Sequence, residues 1–455
     1  MIKGDTVELI TRRTLLGAGV SAATIGLLSA CSASGSADRS VILWNNLTNS
    51  TQQDYFQKNF VDAYTKAKVK FSNKPNNAID RLIQTALAAG SGPSIVITPG
   101  PSTGVPEYTK AGYLIDLSQY ADQYGWNDAF APWALAASKI DGKLMSLPTQ
   151  FESMAFYTNP TTIKKNNLAV PKNQAEFEEF CTEATAKGMV PIATGKADWQ
   201  GVNEWHAVIA LNHGAGPEAV YSALTGATKW TDPVFVDAVE RYTGYFKKGW
   251  FGGGVNSYFT NTFATVYNQL VTGTAAAMIS GTWEFASLRK YFGTEAGNNE
   301  VWDWAAVPSL GAGVPEVVWD LAIGQSAAVN SKAVDVAGSV AYLNFLTTDK
   351  KTILNAVRDQ DFQPSPIRIT ASGFPTGTDS RTADLYSQLA AAKKIGYTTW
   401  TFFPQKTETY IILNWEQVLT GKMTAADYCA GIQKSFAEEL AAGNVPAAPK
   451  PGQGI

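Results

Sequence analysis

The stretch Ser94-Ile95-Val96-Ile97-Thr98 is an apolar run that follows the turn sequence Gly90-Ser91-Gly92-Pro93. A continuous run of this kind is typical of a strand that is covered on both faces, as in a parallel sheet. An earlier run, Val41-Ile42-Leu43-Trp44, has the same character. Between the two runs, apolar residues recur at helical spacing around Phe56 and around Leu82. The order strand, helix, helix, strand predicts an α/β domain with a parallel sheet.

Segments further along the chain repeat this alternation of strands and helices. The predicted elements are strands at residues 275–280, 304–308 and 321–329, and helices at residues 332–346 and 424–440. Asn330-Ser331 is expected to cap the first of these helices. Ligands of parallel sheets bind beyond the carboxyl ends of the strands, so we expect the loops after Trp44 and Thr98 to face a ligand.

The composition excludes several classes of protein. The 455 residues are 45% hydrophobic, which suits two or three packed domains and argues against disorder. With 36 Lys and Arg against 39 Asp and Glu, the chain lacks the positive charge of a nucleic-acid-binding protein. The charged fraction of 16% is low against about 25% in typical domains, which favours an exported protein. The 13 tryptophans are an unusually high number.

The N-terminus has the layout of an export signal. Arg12-Arg13 precedes the uncharged residues 14–30, a stretch shorter than the ~20 apolar residues of a membrane-spanning helix. Residues 1–30 are therefore interpreted as a signal peptide, with twin-arginine and Sec export both open. Leu28-Ser29-Ala30-Cys31 resembles the lipobox of bacterial lipoproteins, in which the Cys is lipidated; an ordinary signal is the alternative. Residues 31–40 would then be the lipidated Cys and a flexible tether.

The remaining cysteines and the histidines give no sign of a metal or other cofactor. Cys181 and Cys429 each lie on a predicted apolar helix face, so we expect two buried thiols, although export makes a disulfide possible. His206 and His213 lack the spacing and the third ligand of a zinc site, and no cofactor is predicted. His206 beside Trp205 could instead bind a ligand by a hydrogen bond.

Four stretches together resemble elements of the extracellular solute-binding proteins of bacterial ABC importers, family 1, the maltose-binding-like family. The first is similar to the A-x-G-x-x-P-D element, with Ser94 in place of the usual Asp. The others resemble the dGK-x-x-x-lP…YN hinge segment, the G-x-aAM…G-x-W element and the W-x-x-vl-x-Gk signature of the terminal helices. The four stretches are residues 88–96, 141–159, 272–283 and 415–422. The resemblance covers nearly all of the mature chain.

This resemblance implies a type II periplasmic-binding-protein-like fold, in which two α/β lobes are joined by a hinge of several chain crossings. Lobe 1 would comprise residues 41–150 and 309–346, and lobe 2 residues 151–308 and 347–455. The ligand would lie in the cleft between the lobes, which close on it. Relatives deliver their ligand to membrane-embedded permease subunits and catalyse no reaction. The protein is expected to be a monomer, anchored through Cys31 to the outer face of the cell membrane.

The aromatic candidates follow from the shape of a sugar, whose C–H faces match flat rings and whose hydroxyls match carboxylates and amides. The resemblance implies that Trp283 is a stacking ring and that Trp199 and Trp205 lie on the lobe 2 side of the cleft. Trp319-Asp320 would pair a ring with an acceptor near a chain crossing, and Tyr410 lies where relatives place an aromatic residue. For each ring, packing inside the protein is the alternative.

The polar candidates lie near the expected hinge and strand ends. Glu152 matches a carboxylate that binds sugar hydroxyls in some relatives, although a structural ion pair is an equal alternative, and Gln150 lies beside it. Asn45 and Asn46 end the first strand and Ser102 follows the second, where ordinary turn chemistry is the alternative. The other tryptophans are interpreted as packing residues: Trp44, Trp126, Trp133, Trp230, Trp250, Trp302, Trp304, Trp400 and Trp415.

The sequence therefore predicts a substrate-binding lipoprotein that captures a carbohydrate, a di- or oligosaccharide, for an ABC transporter. The main alternative is an exported glycoside hydrolase, which needs a pair of carboxylates in a cleft. The candidates for such a pair are Glu152, Asp198, Glu204, Asp320 and Asp361. A binder of non-sugar solutes and an adhesive lipoprotein are further alternatives.

Overall fold

The structure is a computed structural model and describes residues 39–75 and 78–452. The predicted signal peptide, residues 1–30, and the predicted lipidation site, Cys31, lie outside the described residues. Among the helices that are described, none combines the length and the apolar character required to cross a membrane.

The described strands form a six-stranded sheet, a four-stranded sheet and a two-stranded hairpin. The strands are β1 (Val41–Asn45), β2 (Val69–Asn73), β3 (Ile95–Thr98), β4 (Lys139–Ile140), β5 (Lys143–Leu144), β6 (Leu147–Glu152), β7 (Met154–Thr158), β8 (Val190–Ala193), β9 (Ala275–Gly281), β10 (Asp303–Ala305), β11 (Trp319–Val329) and β12 (Ile395–Tyr397). The six-stranded sheet has the order β12-β11-β3-β1-β2, with β6 also paired to β11. The four-stranded sheet has the order β10-β7-β9-β8, and β4 pairs with β5.

Helices cover both sheets. They are α1 (Ser50–Phe56), α2 (Ile79–Ala88), α3 (Val105–Lys110), α4 (Ala121–Tyr124), α5 (Trp126–Ala129), α6 (Pro132–Ala137), α7 (Pro160–Lys165), α8 (Gln174–Ala186), α9 (Val202–Ile209), α10 (Pro217–Leu224), α11 (Pro233–Lys247), α12 (Val255–Thr260), α13 (Phe263–Thr272), α14 (Glu284–Leu288), α15 (Val336–Thr348), α16 (Lys350–Gln360), α17 (Ser380–Ala390), α18 (Thr399–Phe402), α19 (Gln405–Leu419) and α20 (Ala425–Ala441). π-Helical turns continue α1 over Gln57–Asp62 and α9 over Ala210–Ala215.

The two apolar runs at the start of the chain form the parallel strands that the sequence predicts. β1 pairs in parallel with both β2 and β3, and Leu43 lies opposite Ile95. Leu43 and Ile97 pack into one buried cluster, whereas Val96 packs on the other face with Ile83 of α2. Both faces of these strands are therefore covered, which explains why neither strand alternates apolar with polar residues.

Strand β11 holds the six-stranded sheet together because it pairs with three other strands. Its last four residues pair antiparallel with β3, its first three pair in parallel with β12, and its middle part pairs with β6. The partner strand β6 leads directly into the other sheet: Ser153 alone separates β6 from β7. A further link between the sheets runs from β10 in the four-stranded sheet to β11 in the six-stranded sheet.

The predicted start of the helix after β11 is wrong by several residues. Helix α15 begins at Val336, and its N-cap is Asp335, whose side chain accepts a hydrogen bond of 2.8 Å from the Gly338 N–H. Asn330, the predicted cap, instead donates from Nδ2 to the backbone oxygens of Ser91 and Pro93. Its side chain therefore joins the end of β11 to the turn before β3.

The largest apolar cluster among the described residues contains both cysteines, and the buried ring of His206 packs against it. Cys181 and Cys429 are buried free thiols, as the helical spacing predicts. His206 is buried, with Nδ1 2.9 Å from the Tyr242 hydroxyl and Nε2 3.0 Å from the Thr194 hydroxyl. Burial lowers the pKa of His206 to about 3, so the imidazole is a neutral part of the core. Because both ring nitrogens have protein partners, His206 is not available to a ligand.

Asp320 and His213 join the start of β11 to the π-helical turn after α9. The carboxylate Oδ2 of Asp320 lies 2.9 Å from Nε2 of His213, and both side chains are fully buried. Trp319, the preceding residue, is 4% exposed and packs edge-on against Trp304 at 5.8 Å between ring centroids. This part of β11 is therefore an internal contact between elements that are distant in sequence.

We expect Asp320→Ala to lower the free energy of unfolding by about 3 kcal/mol, because it removes one partner of a buried pair and leaves His213 without an acceptor. Urea unfolding monitored by circular dichroism measures this change. The control is Asp237→Ala, which alters an exposed carboxylate on α11 and should cost less than about 0.5 kcal/mol. Equal losses in the two variants would contradict a structural role for the Asp320–His213 pair.

Candidate ligand-binding site

Trp283 takes its position from the glycine that ends strand β9. The sequence Gly281-Thr282-Trp283 follows the strand directly, and Trp283 is the N-cap residue of α14. The indole folds back over the strand end, where a Cβ at Gly281 would overlap the ring of Trp283. Only glycine permits this close approach. The local sequence therefore holds the indole at the carboxyl end of a strand.

Three of the predicted ring residues lie together with a fourth tryptophan. The ring centroids of Trp205 and Trp283 are 4.7 Å apart, and those of Trp199 and Trp205 are 5.4 Å apart. Trp400 continues the series at 6.2 Å from Trp283, and Phe263 stacks on Trp205. Trp199 is 44% exposed, Trp205 and Trp283 are half-buried, and Trp400 is buried. We call these four residues, Trp199, Trp205, Trp283 and Trp400, the indole cluster.

Glu152 lies at the inner end of the indole cluster. Its Oε1 accepts a hydrogen bond of 2.8 Å from Nε2 of Gln363, and its carboxyl also receives one from the Trp400 side chain. Burial raises the pKa of Glu152 to about 7, and the two hydrogen bonds oppose this rise. The predicted alternative, an ion pair, is absent among the described residues, since Glu152 has no Lys, Arg or His partner there.

The position of Glu152 depends on an irregularity in strand β11. The pairing of β11 with β6 shifts register on both sides of Gln325, so that Gly324 is an extra residue, as in a β-bulge. A Cβ at Gly324 would overlap the carboxyl group of Glu152. The absence of a side chain at this one position therefore leaves the space that the carboxyl occupies.

Two further buried carboxyl groups lie nearby, on α9 and α19. Oε2 of Glu204 accepts a hydrogen bond of 2.7 Å from the Thr399 hydroxyl, and Oε2 of Glu408 accepts one of 2.9 Å from the Thr103 hydroxyl. Burial raises the pKa of Glu204 to about 7. It raises the pKa of Glu408 well above the usual range, and the neighbouring Glu204 carboxyl adds to the effect. Ser102, predicted as a ligand contact, is buried beside Glu408, and its hydroxyl lowers the pKa of that carboxyl.

Side-chain amides lie near Glu152, within and at the end of strands of the six-stranded sheet. Nε2 of Gln325 donates to Oδ1 of Asn45 and to Oδ1 of Asn46, both at 3.2 Å. Gln150 lies opposite Gln325 in the register of β6 and β11. We call these residues, with Gln363, the amide group. The predicted residues Asn45, Asn46 and Gln150 therefore belong to one polar surface next to Glu152.

Three predicted site residues lie elsewhere. Trp319 and Asp320 are internal, because β11 begins with their pairing to β12 and with the contact to His213. Tyr410 packs beside Tyr428 on the neighbouring helix, and its hydroxyl lies 3.7 Å from the sulfur of Met423. Adjacent residues of a strand point to opposite faces, so the sequence position of Trp319 and Asp320 did not reveal where their side chains lie.

The sequence pattern did not single out Trp400, Gln363 or Glu408. Trp400 follows β12, and the rule for carboxyl ends of parallel strands would have found it. With three residues, however, β12 is too short to recognise from periodicity. Gln363 and Glu408 carry no local signal, because they meet their partners Glu152 and Thr103 across 211 and 305 residues of sequence.

The arrangement suits a ligand that has flat apolar faces and many hydroxyl groups. Indole faces cover C–H surfaces, while amides and carboxyls donate and accept hydrogen bonds at the edges. A carboxyl group that burial keeps protonated both donates and accepts. Among the described residues, no three His, Cys, Asp or Glu side chains are grouped so that they could hold a metal ion.

Glu152 makes stability depend on pH with a definite sign. Its pKa is raised from 4.5 to about 7, so between these pH values the folded protein retains a proton that the unfolded chain releases. The retained proton stabilises the folded state. This contribution of Glu152 to the free energy of unfolding is complete below the pKa of the unfolded chain and is lost as the pH rises through about 7. We expect Glu152→Gln to reduce this loss by about 3 kcal/mol, as measured by urea unfolding at a series of pH values.

The matched control is Glu179→Gln on α8, where the carboxyl is exposed. It should leave the pH dependence as in the unchanged protein. Identical pH profiles for Glu152→Gln and the control would show that Glu152 is ionised in the folded state.

The chain is similar to known proteins in sequence and in fold. The sequence model of the family described as bacterial extracellular solute-binding protein matches residues 48–353. Among curated proteins, the chain is similar to a "Probable sugar-binding periplasmic protein" of Mesorhizobium japonicum. The two are 26% identical over 223 residues, which are 47% of this chain and 50% of that protein. The chain thus spans about half the length of the curated relatives it matches.

Solved structures resemble nearly the whole described chain. A "Chitin oligosaccharide binding protein" superposes with a TM-score of 0.70 at 19% identity, covering 88% of this chain and 98% of that one. The sugar-binding protein MalE from Xanthomonas citri gives 0.66 at 17% identity, covering 89% and 98%. The likeness confirms the predicted type II periplasmic-binding-protein fold. Because the family match extends over well over half of the sequence, the chain belongs to the family of bacterial extracellular solute-binding proteins.

Proposed function

We propose that this protein is the substrate-binding component of an ABC importer and that it captures a carbohydrate, a di- or oligosaccharide. The observation that carries the proposal is the indole cluster, which begins at an exposed ring and ends at the buried Glu152 carboxyl. A sugar ring stacked on Trp283 would present its rim hydroxyls to Glu152 and Gln363. The relatives reported above are sugar-binding proteins by name, which supports the same ligand class.

The ligand would be held between two lobes, made of residues 41–150 with 309–346 and of residues 151–308 with 347–455. Asn45, Asn46, Gln150, Gln325 and Thr103 would contact it from the first lobe, and Gln363 and the indole cluster from the second. The hydrogen bond between Thr103 and Glu408 would then join the lobes in the closed form. A ligand that contacts both lobes only when they are closed selects that form, and the fraction already closed sets the affinity penalty.

The N-terminal sequence supports export of the protein and its attachment to the membrane. Cleavage before Cys31 and its lipidation would anchor the protein to the outer face of the cell membrane. A monomer on a flexible tether could then reach the permease subunits of the transporter. The small net charge of −3 gives no attraction to nucleic acid.

The test is isothermal titration calorimetry, together with tryptophan fluorescence, against a panel of mono-, di- and oligosaccharides. We expect one class of sugar to bind with a quench or shift of indole emission, since the rings would contact it. Non-sugar solutes form the second part of the panel. If the protein releases reducing ends from a glycoside instead of retaining it, the glycoside hydrolase alternative replaces the proposal.

Within this function, Trp283→Ala should weaken sugar binding by at least about 1.5 kcal/mol, the upper range for an aromatic contact. The matched control is Trp304→Ala on the edge strand β10, which lies outside the indole cluster and should retain the affinity. Circular dichroism establishes that both variants are folded. An unchanged dissociation constant in folded Trp283→Ala would remove this ring from the site.

A further inference from the structure

We propose that the ligand carries an acetamido substituent, as in an N-acetylated amino sugar, and that a cavity behind the amide group receives it. The inference rests on the proposed function, which it makes more specific. It starts from a cavity of about 60 Å³ between strand β1 and helices α1 and α16.

The cavity is apolar at its floor and partly polar at its mouth. The floor consists of buried apolar side chains: Leu43, Phe56, Phe60, Ile97, Ile353 and Ala356. The half-buried part of the lining is the accessible end, the mouth, and it carries the amides Gln150, Gln325 and Gln363 beside Thr149 and the apolar side chains Leu47, Leu346 and Phe362. An occupant would therefore enter past the amides and place its innermost atoms against hydrocarbon.

The mouth of the cavity adjoins the candidate site. Gln363 lines the cavity and donates to Oε1 of Glu152 at 2.8 Å, and to the Thr282 hydroxyl at 3.3 Å. Thr282 precedes Trp283 in the sequence. A sugar ring that stacks on Trp283 and meets Glu152 thus has one edge at the mouth, and a substituent on that edge points toward the floor.

The size of the cavity fits a small branched substituent. A space of about 60 Å³ equals the volume of about two water molecules, each of which occupies about 30 Å³ in the liquid. An acetamido group has four non-hydrogen atoms. A hydroxyl group would fill only the mouth and leave the apolar floor empty or wet, and water has no hydrogen-bond partners on such a floor.

The polar atoms of the cavity lining, both buried and half-buried, match an amide. Asn45 is 6% exposed, and its Oδ1 already accepts from Gln325 and from the Asn46 N–H, whereas its Nδ2 donates to no residue that the structure describes. The Gln150 side chain also has no hydrogen bond within the described part of the chain. Asn45 Nδ2 can donate to an acetamido carbonyl, and Gln150 can accept from its N–H. The methyl group would then contact the floor.

The charge of the lining excludes the ionic substituents of sugars. The residues that line the cavity include no Asp, Glu, Lys, Arg or His. A carboxylate or an ammonium group would lose its hydration there without gaining a counter-charge. Of the common substituents, the acetamido group alone combines neutrality, an apolar tip and a donor beside an acceptor.

The experiment compares pairs of ligands that differ only in this substituent. Calorimetric titrations use gluco- and galacto-configured oligosaccharides, each paired with its 2-acetamido and its 2-amino analogue. We expect an acetamido ligand to bind at least tenfold more tightly than its hydroxyl and amino partners. If hydroxyl sugars bind as well as or better than their acetamido analogues, the inference is overturned and the proposed function stands. If no sugar binds, both fall.

A cavity-filling variant locates the effect. Ala356→Leu places three extra carbon atoms at the floor and should reduce acetamido binding at least tenfold, to the level of the hydroxyl analogue, whose affinity should not change. The control, Ala341→Leu on α15, lies outside the cavity lining and should retain the preference. Gln150→Leu at the half-exposed mouth is a second variant that leaves the core intact, and it should also reduce the preference. Folded variants that all keep the tenfold preference would overturn the assignment.

Discussion

The site depends on the close approach of the Glu152 carboxyl to the backbone of Gly324. Three segments meet at this point: β6 ends with Glu152, β11 supplies Gly324, and the chain after α16 supplies Gln363. The register shift in β11 removes one position from the regular ladder and leaves room for the carboxyl without a hole in the sheet. Any side chain at residue 324 would displace the carboxyl, and with it the hydrogen bonds from Gln363 and Trp400.

A second constraint is electrostatic. Glu152, Glu204 and Glu408 are all buried, and each is bonded to hydroxyl, amide or indole groups rather than to a cation. Burial without a counter-charge disfavours the ionised form of a carboxyl group. The candidate site therefore contains carboxyl groups that retain protons near neutral pH. A protonated carboxyl can both donate to and accept from a ligand hydroxyl. Such a site is suited to neutral polyhydroxylated molecules. While its carboxyl groups are protonated, they carry no charge that a cation would have to balance.

Much of the fold follows from local sequence, and much of the site does not. The apolar runs of β1 and β3 and the glycine at residue 281 are local signals, and the structure has two strands and an indole packed against Trp205 at these places. The start of α15 was misjudged because Asn330 bonds to a distant turn instead of capping the helix. Glu408 and Gln363 become significant only through residues hundreds of positions away. Trp319 and Asp320 are the opposite case. Their sequence suggests a ligand contact, but in the structure they pair with β12 and Asp320 bonds to the buried His213.

The single residue between β6 and β7 has a mechanical consequence. Ser153 is buried, and the strands on either side of it belong to different sheets. Any rotation of one sheet against the other must pass through the backbone torsions of this residue and its immediate neighbours at this link. Glu152 lies next to the pivot and would hardly be displaced, whereas Trp199, at the outer end of the indole cluster, would travel furthest. The carboxyl would thus act as the fixed point of the binding surface, and the outermost ring as its moving edge.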